Sequence, residues 1–253
     1  ATCHNPALGW TDRIPRATGH DGQVGDRNTP TALNAAFLTS QFWDGRAETL
    51  EDQALGPIQA SIEMNMTLDG AISRLNEFQI YRDMFAAAFP GDAEPVNPPN
   101  VALAIAAFER TLITPNSPFD RYLAGDDSAM SEQAQHGMRL FADNGCIACH
   151  SGPNFSDGGF HAIQVPGSTD RGRALVTGDA ADEHAFRTPS LRNIALTYPY
   201  FNNGSVDNLR DAVNIMGQEM LGHDFAEDEL DALVAFLHTL TGEMPNVSIP
   251  SLP

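Results

Sequence analysis

The sequence is poor in three features: long apolar runs, cysteines and basic residues. It contains no run of about 18 apolar residues, so no membrane-spanning helix is expected. Its three cysteines are few, and odd in number, which argues against a disulfide framework. The 14 basic residues stand against 33 acidic ones, which gives a net charge of −19. Such a surface repels nucleic acid and anionic lipid, and it either favours a small basic partner protein or only keeps the protein dissolved.

The remaining composition is that of a folded globular protein. Apolar residues make up 42% of the chain and charged residues 19%. With 253 residues the chain can bury a sizeable core, in one large domain or two small ones. The first residues show none of the charged and apolar regions of a secretory leader.

Two of the cysteines stand in a haem attachment motif. The segment Cys146-Ile147-Ala148-Cys149-His150 has the Cys-x-x-Cys-His pattern of c-type cytochromes. Each thiol bonds one vinyl group of the porphyrin, and the adjacent histidine lies below the iron as its proximal ligand. Zinc binding would require a second pair of ligands at metal spacing, and none follows nearby. We therefore predict a covalent haem at this motif.

The first four residues repeat half of this motif. Ala1-Thr2-Cys3-His4 is what would remain of a Cys-x-x-Cys-His sequence whose first cysteine precedes the chain. We predict a second covalent haem here, attached through Cys3 and with His4 as its proximal ligand. The alternative is a chance Cys-His pair at a terminus. The second haem implies that a leader and a stretch before Ala1 have been removed or left out.

Apolar periodicity and turn residues predict three helices. A loop rich in Pro, Asn and Gly over residues 89–100 precedes an apolar stripe. Further helices are predicted over residues 131–144 and 227–240. Residues 154–190 are rich in Gly, Asp and Pro and are predicted to be mostly loop. The stripe after the first loop consists of Val101, Ile105, Phe108 and Leu112.

The two haem motifs suggest two domains. The run from Thr114 to Pro118 breaks the preceding helix and is the predicted boundary. We predict a mostly α protein of two cytochrome c-like helical domains with long loops, each around one covalent haem. The N-terminal domain spans residues 1–113 and the C-terminal domain residues 114–243. The tail, residues 244–253, packs back and can join the N-terminal domain.

A set of short segments completes the sequence evidence, and their order and spacing carry more information than any one of them. With the two haem motifs, they resemble the bacterial di-haem cytochrome c peroxidases over nearly the whole chain. The segments are His4-Asn5-Pro6, Arg27-Asn28-Thr29-Pro30-Thr31, Gln41-Phe42-Trp43-Asp44-Gly45-Arg46, Gly56-Pro57-Ile58-Gln59, Glu63-Met64-Asn65-Met66, Thr188-Pro189-Ser190-Leu191-Arg192-Asn193-Ile194, Leu196-Thr197-Tyr198-Pro199-Tyr200-Phe201 and Met216-Gly217.

The resemblance implies roles for residues around the first haem. His4 is then the proximal ligand of the peroxide-reducing haem, and His20 the distal histidine that leaves the iron when the other haem is reduced. Glu63 matches the catalytic acid–base and Gln53 a supporting hydrogen-bond donor. Heterolytic O–O cleavage needs a group that moves a proton between the two oxygens, which a carboxylate above the iron can do. Trp43 matches a tryptophan between the haems, which relays electrons or fills the core.

Two of these assignments have plain alternatives. His20 lies in Gly19-His20-Asp21-Gly22, which suits a movable ligand and equally a solvated loop histidine. Glu63 stands between Ile62 and Met64, an apolar setting that favours partial burial rather than a solvated surface charge.

For the second haem, the resemblance implies His150 as proximal and Met216 as distal ligand. A His/Met pair raises the reduction potential, which suits a haem that accepts electrons. Met220 lies four residues further on the same predicted helical face and is a rival ligand. Methionine on a helix is more often a core residue.

The resemblance also implies a calcium ion between the domains. Asn28 would contribute its side chain, and Thr197 and Pro199 their backbone carbonyls, which are the hard oxygen donors that calcium prefers. Backbone ligands leave no trace in residue type, so the sequence alone does not suggest this site.

The implied activity is reduction of hydrogen peroxide by electrons from a small cytochrome c or blue-copper protein. The resemblance further implies a homodimer and a periplasmic location, with no nucleic-acid or membrane partner. One alternative is a di-haem relative that oxidises a partner protein to build a tryptophan-derived cofactor. Such relatives have tyrosine as the distal ligand of the second haem, so Met216 favours the peroxidase. A non-catalytic electron-transfer cytochrome is a further alternative, which leaves Glu63, Gln53 and His20 without a purpose.

Overall fold

The computed structural model describes residues 2–251 and 253 and is mostly helical, as predicted. Ala1, part of the predicted first haem motif, and Leu252, in the closing tail, lie outside the described residues. The helices are α1 (Leu50–Gln59), α2 (Leu68–Asn76), α3 (Gln79–Ala88), α4 (Pro98–Glu109), α5 (Pro118–Leu123), α6 (Glu132–Asp143), α7 (Ala174–Thr177), α8 (Leu209–Met216) and α9 (Glu227–His238). Two short strands, β1 (Phe160–Ala162) and β2 (Ala185–Arg187), pair with each other in antiparallel orientation. Over residues 2–251 and 253, every helix is too short or too polar to cross a membrane.

The largest hydrophobic core surrounds the crossing of α6 and α9, the two helices that the sequence predicts at nearly these bounds. Gly137 lies at the crossing, because a Cβ atom there would be 1.8 Å from the carbonyl oxygen of Ala232 in α9. The missing side chain therefore lets the two backbones approach closely. Aromatic rings fill the space beside the crossing, with centroids 5.2 to 6.3 Å apart: Phe119, Phe141, Phe155 and Phe236.

The N-terminal part has smaller clusters of its own. Trp10, Leu33 and Leu112 form one cluster, and Val247 of the closing tail packs against it. The tail thus returns to the N-terminal part of the chain, which agrees with the idea that it joins that domain. The division into two domains stays a prediction.

A buried ionic cluster connects the N-terminal part to the segment before β2. The guanidinium of Arg27 donates to both carboxylate oxygens of Asp170, at 2.6 and 2.9 Å, and to Asp44 at 2.5 Å. Burial alone would raise the pKa of Asp170, but the hydrogen bonds and charge of Arg27 hold it below its ordinary value. Removing one partner would leave a buried charge unpaired, so the cluster fixes the two parts against each other.

Several local expectations need correction. α4 begins at Pro98, inside the predicted loop, because Asn97 caps it by accepting from the amide of Asn100. The helix ends at Glu109, and Phe108 is 43% exposed, since the small residues on the other face pack against α1 instead. The strands β1 and β2 interrupt the predicted loop 154–190. The sequence patterns do not predict α1, α2, α3, α5 or α7, and they give no bounds for the helix that carries Met216.

Candidate functional site

The second haem motif follows directly on α6. Gly145 has φ = 83°, a left-handed conformation that glycine adopts without strain, and it ends the helix. Residues Cys146–Ala148 then form one 3-10 turn, and the amide of His150 donates to the carbonyl of Cys146 at 2.9 Å. This turn places Cys146, Cys149 and His150 on the wall of one cavity.

His150 is oriented as a metal ligand. Its Nδ1 lies 3.2 Å from the carbonyl oxygen of Phe155, and no hydrogen bond to its Nε2 occurs within residues 2–251. Burial lowers the pKa of His150, so its imidazole is neutral at pH 7. A neutral imidazole whose Nδ1–H donates to a carbonyl is set up to bind a metal through Nε2.

The two thiols of this motif are free and half-buried. Burial raises the pKa of Cys146, and burial together with the charge of Asp157 raises the pKa of Cys149. Both thiols are therefore protonated at neutral pH when no metal is bound. Asp157 and His161 come within 4.8 Å of Cys149, but these two side chains already pair with each other at 2.8 Å. The donor set fits thioether attachment of a haem better than a zinc site.

The cavity is large and mostly apolar. Its volume is about 430 Å³, and neither Asp nor Glu lines it among the described residues. Met216, the last residue of α8, and Met220, in the π-helical turn Gly217–Leu221, both line it. A histidine with an available Nε2, two thiols, a thioether from another element and an apolar wall together fit a c-type haem. Both methionines are placed at the cavity, so the choice between them stays open.

The three residues assigned to calcium line this same cavity. Thr197 and Pro199 are among its lining residues, and the side-chain nitrogen of Asn28 donates to the carbonyl of Ile14 at 3.0 Å. No hydrogen bond to Asn28 Oδ1 is found in the part of the chain that the structure describes. An amide oxygen and two neighbouring carbonyl-bearing residues are suitable donors for calcium.

The first haem motif repeats the arrangement of the second. His4 Nδ1 lies 3.2 Å from the carbonyl oxygen of Trp10, as His150 Nδ1 does from Phe155. Burial, then the charges of Asp12 and Glu63, raise the pKa of Cys3, so this thiol is also protonated. The residues that follow Ala1 thus suit a haem ligand and a thioether link. The effect of Glu63 on Cys3 also indicates that this carboxylate lies near the first motif.

His20 lies in a short hairpin of residues 17–25, here called the His20 hairpin. The hairpin is closed by a bridge between Thr18 and Val24 and rests on the turn that carries Glu63. The amide of His20 donates to the carbonyl of Glu63 at 2.7 Å. A Cβ atom on Gly19 would lie 2.0 Å from the carbonyl of Ile62, so glycine is required for this contact. The two residues assigned as distal ligand and acid–base are therefore neighbours.

Glu63 is half-buried, as expected, but not because of its neighbours in sequence. Ile62 is 36% and Met64 61% exposed. Gln53 lies half-buried on α1, whose C-terminal end leads into the turn that holds Glu63.

Trp43 lies on the cavity wall of the second motif. Its indole Nε1 donates to the carbonyl of Asn28 at 2.9 Å, and its own carbonyl accepts from the amide of Arg187 at 2.8 Å. Trp43 is thus bonded to Asn28 in the N-terminal part of the chain and to Arg187 in β2, and its place between two haems stays a prediction.

Comparison with known proteins places these observations in a family. The family model described as di-haem cytochrome c peroxidase matches residues 1–128, and the model described as cytochrome c matches residues 134–241. A cytochrome c551 peroxidase of Pseudomonas aeruginosa is 47% identical over 260 residues, which cover 100% of this chain and 75% of the relative. The chain belongs to the di-haem cytochrome c peroxidase family.

Other members of this family differ in their named roles. The methylamine utilization protein MauG of Methylorubrum extorquens is 40% identical over 266 residues, with 100% of this chain and 75% of the relative covered. A solved structure of a MauG-like protein associated with microbial copper homeostasis has a TM-score of 0.87 and 29% identity, over 96% of this chain and 83% of that one. The family's fold and its haem cofactors are therefore those of this chain.

One residue on the cavity wall of this di-haem peroxidase was missed by the sequence analysis. Arg187, at the end of β2, is only 4% exposed and lines the cavity of the second motif. Its burial follows from strand pairing and tertiary packing, so nothing in its sequence neighbourhood indicates it.

Proposed function

We propose that this protein reduces hydrogen peroxide to water with two electrons and two protons, the electrons coming from a small redox protein. Two covalently attached haems serve the reaction, one at Cys3 and His4 and one at Cys146, Cys149 and His150. The observation that carries the proposal is the contact between the His20 hairpin and the Glu63 turn. It holds the backbones of His20 and Glu63 together at 2.7 Å, near a haem motif whose histidine is already oriented for iron.

A haem, when bound, supplies the iron at which peroxide is reduced. Glu63 would take a proton from one peroxide oxygen and return it to the other, which would leave as water. Gln53, on the helix that leads to this turn, donates a hydrogen bond that orients the peroxide. His20 controls the access of peroxide to this site, because the His20 hairpin can move only if its contact with the Glu63 turn changes.

The second site has the ligands of an electron-accepting haem. His150 and Met216 would hold its iron, with Met220 as the rival thioether, and a His/Met pair raises the reduction potential. Trp43 lies on the wall of this site and is bonded to the segment that leads to the His20 hairpin. We assign it to the path, or the packing, between the two haems.

The remaining assignments rest on the family and on charge. Calcium would be held by Asn28, Thr197 and Pro199, where the unpaired Oδ1 of Asn28 supports a hard cation. The net charge of −19 favours a basic donor, either a small cytochrome c or a blue-copper protein. A homodimer, a periplasmic location and domains of residues 1–113 and 114–243 complete the proposal.

Oxidation of a partner protein is the second candidate, because MauG proteins are among the relatives. That function is associated with tyrosine as the distal ligand of the second haem. Tyr200 does line the cavity, but its hydroxyl donates to the carbonyl of Ile194 at 3.2 Å, and burial raises its pKa to about 12. This hydroxyl would have to give up its hydrogen bond to Ile194 in order to bind iron, which supports Met216 and the peroxidase.

The proposal is tested with the Glu63→Gln variant, which keeps the shape of the side chain and removes its basicity. We expect both haem absorption spectra to stay unchanged and peroxide turnover with a reduced small cytochrome to fall by about 10² to 10⁴-fold. Glu48→Gln is the control, because it removes the same charge from an exposed side chain. Undiminished turnover in Glu63→Gln would contradict the assignment.

A further inference from the structure

We propose that Arg187 binds a propionate carboxylate of the haem held by Cys146, Cys149 and His150. The inference rests on the haem in this cavity, as proposed above, and not on peroxide turnover. It assigns to Arg187 a cofactor-binding role and, through the charge, a part in setting the reduction potential of this haem.

Arg187 is almost completely buried. It is only 4% exposed, and it is among the residues that line the cavity. Its Nε donates to the carbonyl of Phe42 at 3.3 Å and its Nη1 to the carbonyl of Thr188 at 3.1 Å. A guanidinium has five N–H donors in a planar fork. The two hydrogen bonds found in the described chain therefore leave most of the fork available.

The electrostatic environment of Arg187 also points to an anionic ligand. Arg187 takes part in no ion pair within residues 2–251, and burial alone lowers its pKa, to about 10, with no contribution from a carboxylate. The neighbouring Arg27 differs, because Asp44 and Asp170 pair with it. A buried cation that contacts only neutral carbonyls is unfavourable unless an anion completes its environment.

The cavity offers a cation, and a haem offers carboxylates that would pair with it. Among the described residues that line the cavity, Arg187 is the only arginine, no carboxylate is present, and the chain contains no lysine. A haem carries two propionate carboxylates on one edge. A guanidinium binds a carboxylate through two parallel hydrogen bonds, so Arg187 supplies what this edge requires.

Arg187 is also bonded to the segment that carries Trp43. The amide of Arg187 donates to the carbonyl of Trp43 and its side chain to that of Phe42. A propionate bound to Arg187 would therefore be held by a residue that is itself bonded to Phe42 and Trp43. Because the guanidinium is positive, it favours the reduced iron, whose charge is lower by one, and raises the reduction potential.

The test measures the reduction potential of the His/Met haem by spectroelectrochemical titration of the holoprotein. We expect Arg187→Gln to lower the equilibrium constant for reduction at least tenfold, which is 59 mV for a one-electron couple. Arg173→Gln is the matched control. Arg173 also donates to a backbone carbonyl, that of Asp44, but lies off the cavity wall. A potential unchanged in Arg187→Gln, or lowered equally in Arg173→Gln, would overturn the proposal.

Arg187→Lys covers the case in which Arg187→Gln does not fold. Lysine keeps the charge but not the planar fork. We expect the propionate bending band in the resonance Raman spectrum to shift, and an unshifted band would overturn the proposal. Counting the haems by the pyridine haemochrome assay distinguishes a failure of the haem assignment from a failure of the Arg187 proposal. Fewer than two haems in the wild-type protein would refute the haem sites themselves, whereas two haems with an unshifted band refute only the role of Arg187.

Discussion

Replacing Gly137 with alanine tests the helix crossing on which the second haem site is built. Gly137 lies in α6, and the added Cβ would be 1.8 Å from Ala232 O and 2.4 Å from Ala232 C in α9. Contacts below 3.0 Å are essentially never seen for real Cβ atoms. Both obstructing atoms belong to the backbone, so no side chain can rotate to make room. The two helices must separate instead.

The cost follows from two opposing effects. Overpacking of a close core contact costs about 1 to 3 kcal/mol, and the upper end applies where backbone meets backbone. Alanine returns about 1 kcal/mol through its higher helix propensity. The free energy of unfolding should therefore fall by about 2 kcal/mol. For a chain of this size that lowers the midpoint of thermal unfolding by about 4 to 8 °C.

The assay is urea unfolding of the holoprotein at pH 7, followed by far-UV circular dichroism. Gly70→Ala in α2 is the matched control, because its Cβ would meet only side-chain atoms, Thr67 Oγ1 at 3.0 Å and Met66 Cγ at 3.6 Å, on an exposed helix. We expect Gly70→Ala to be neutral or to gain up to about 1 kcal/mol. The reasoning would be refuted if Gly137→Ala were as stable as the wild type, since the close approach of α6 and α9 would then be absent in solution.

Two further predictions concern a buried acid and the calcium site. Burial raises the pKa of Glu109 to about 7, so its ionisation destabilises the fold increasingly as pH rises from 4.5 to about 7. Glu109→Gln should raise the free energy of unfolding by about 1 to 2 kcal/mol at pH 8, after allowance for solvent screening, and by little at pH 4.5. Urea titrations at the two pH values measure this difference. Equal gains at pH 4.5 and pH 8 would contradict the prediction. Asn28→Ala should weaken calcium binding by at least about tenfold in isothermal titration calorimetry. Unchanged affinity would exclude Asn28 as a ligand.

The parts of the site that the sequence predicts are those whose chemistry needs adjacent residues. A c-type haem requires its two cysteines and histidine within five positions, so Cys146 to His150 could be read directly. The carbonyls of Phe155 and Trp10 that orient the two histidines could not, because any residue type supplies a carbonyl. Arg187 could not be found either, since its burial depends on the pairing of β2 with β1 and on the fold around the cavity.

The helices show the same division. α6 and α9 were predicted closely because each buries a continuous apolar face in the main core. α2 and α3 contain no fully buried residue, and a cap stabilises α2 at Thr67, whose hydroxyl accepts from the amide of Gly70. A search for buried apolar stripes does not detect such helices. In α4 the stripe is right in part: Val101 is buried together with Ala102 and Ala106, whereas Phe108 is 43% exposed.

The position of Asn28 suggests how a cation and the two haem sites would influence one another. Its backbone carbonyl accepts from the Trp43 indole, its backbone amide donates to Asn202, and its side-chain nitrogen donates to Ile14, three residues before the His20 hairpin begins. A calcium ion on Oδ1 would fix the amide plane and with it the bond to Ile14. Loss of the ion would free that plane and loosen the start of the hairpin. We therefore expect chelation and Asn28→Ala to act alike on the ligation of His20, although Asn28 binds neither haem.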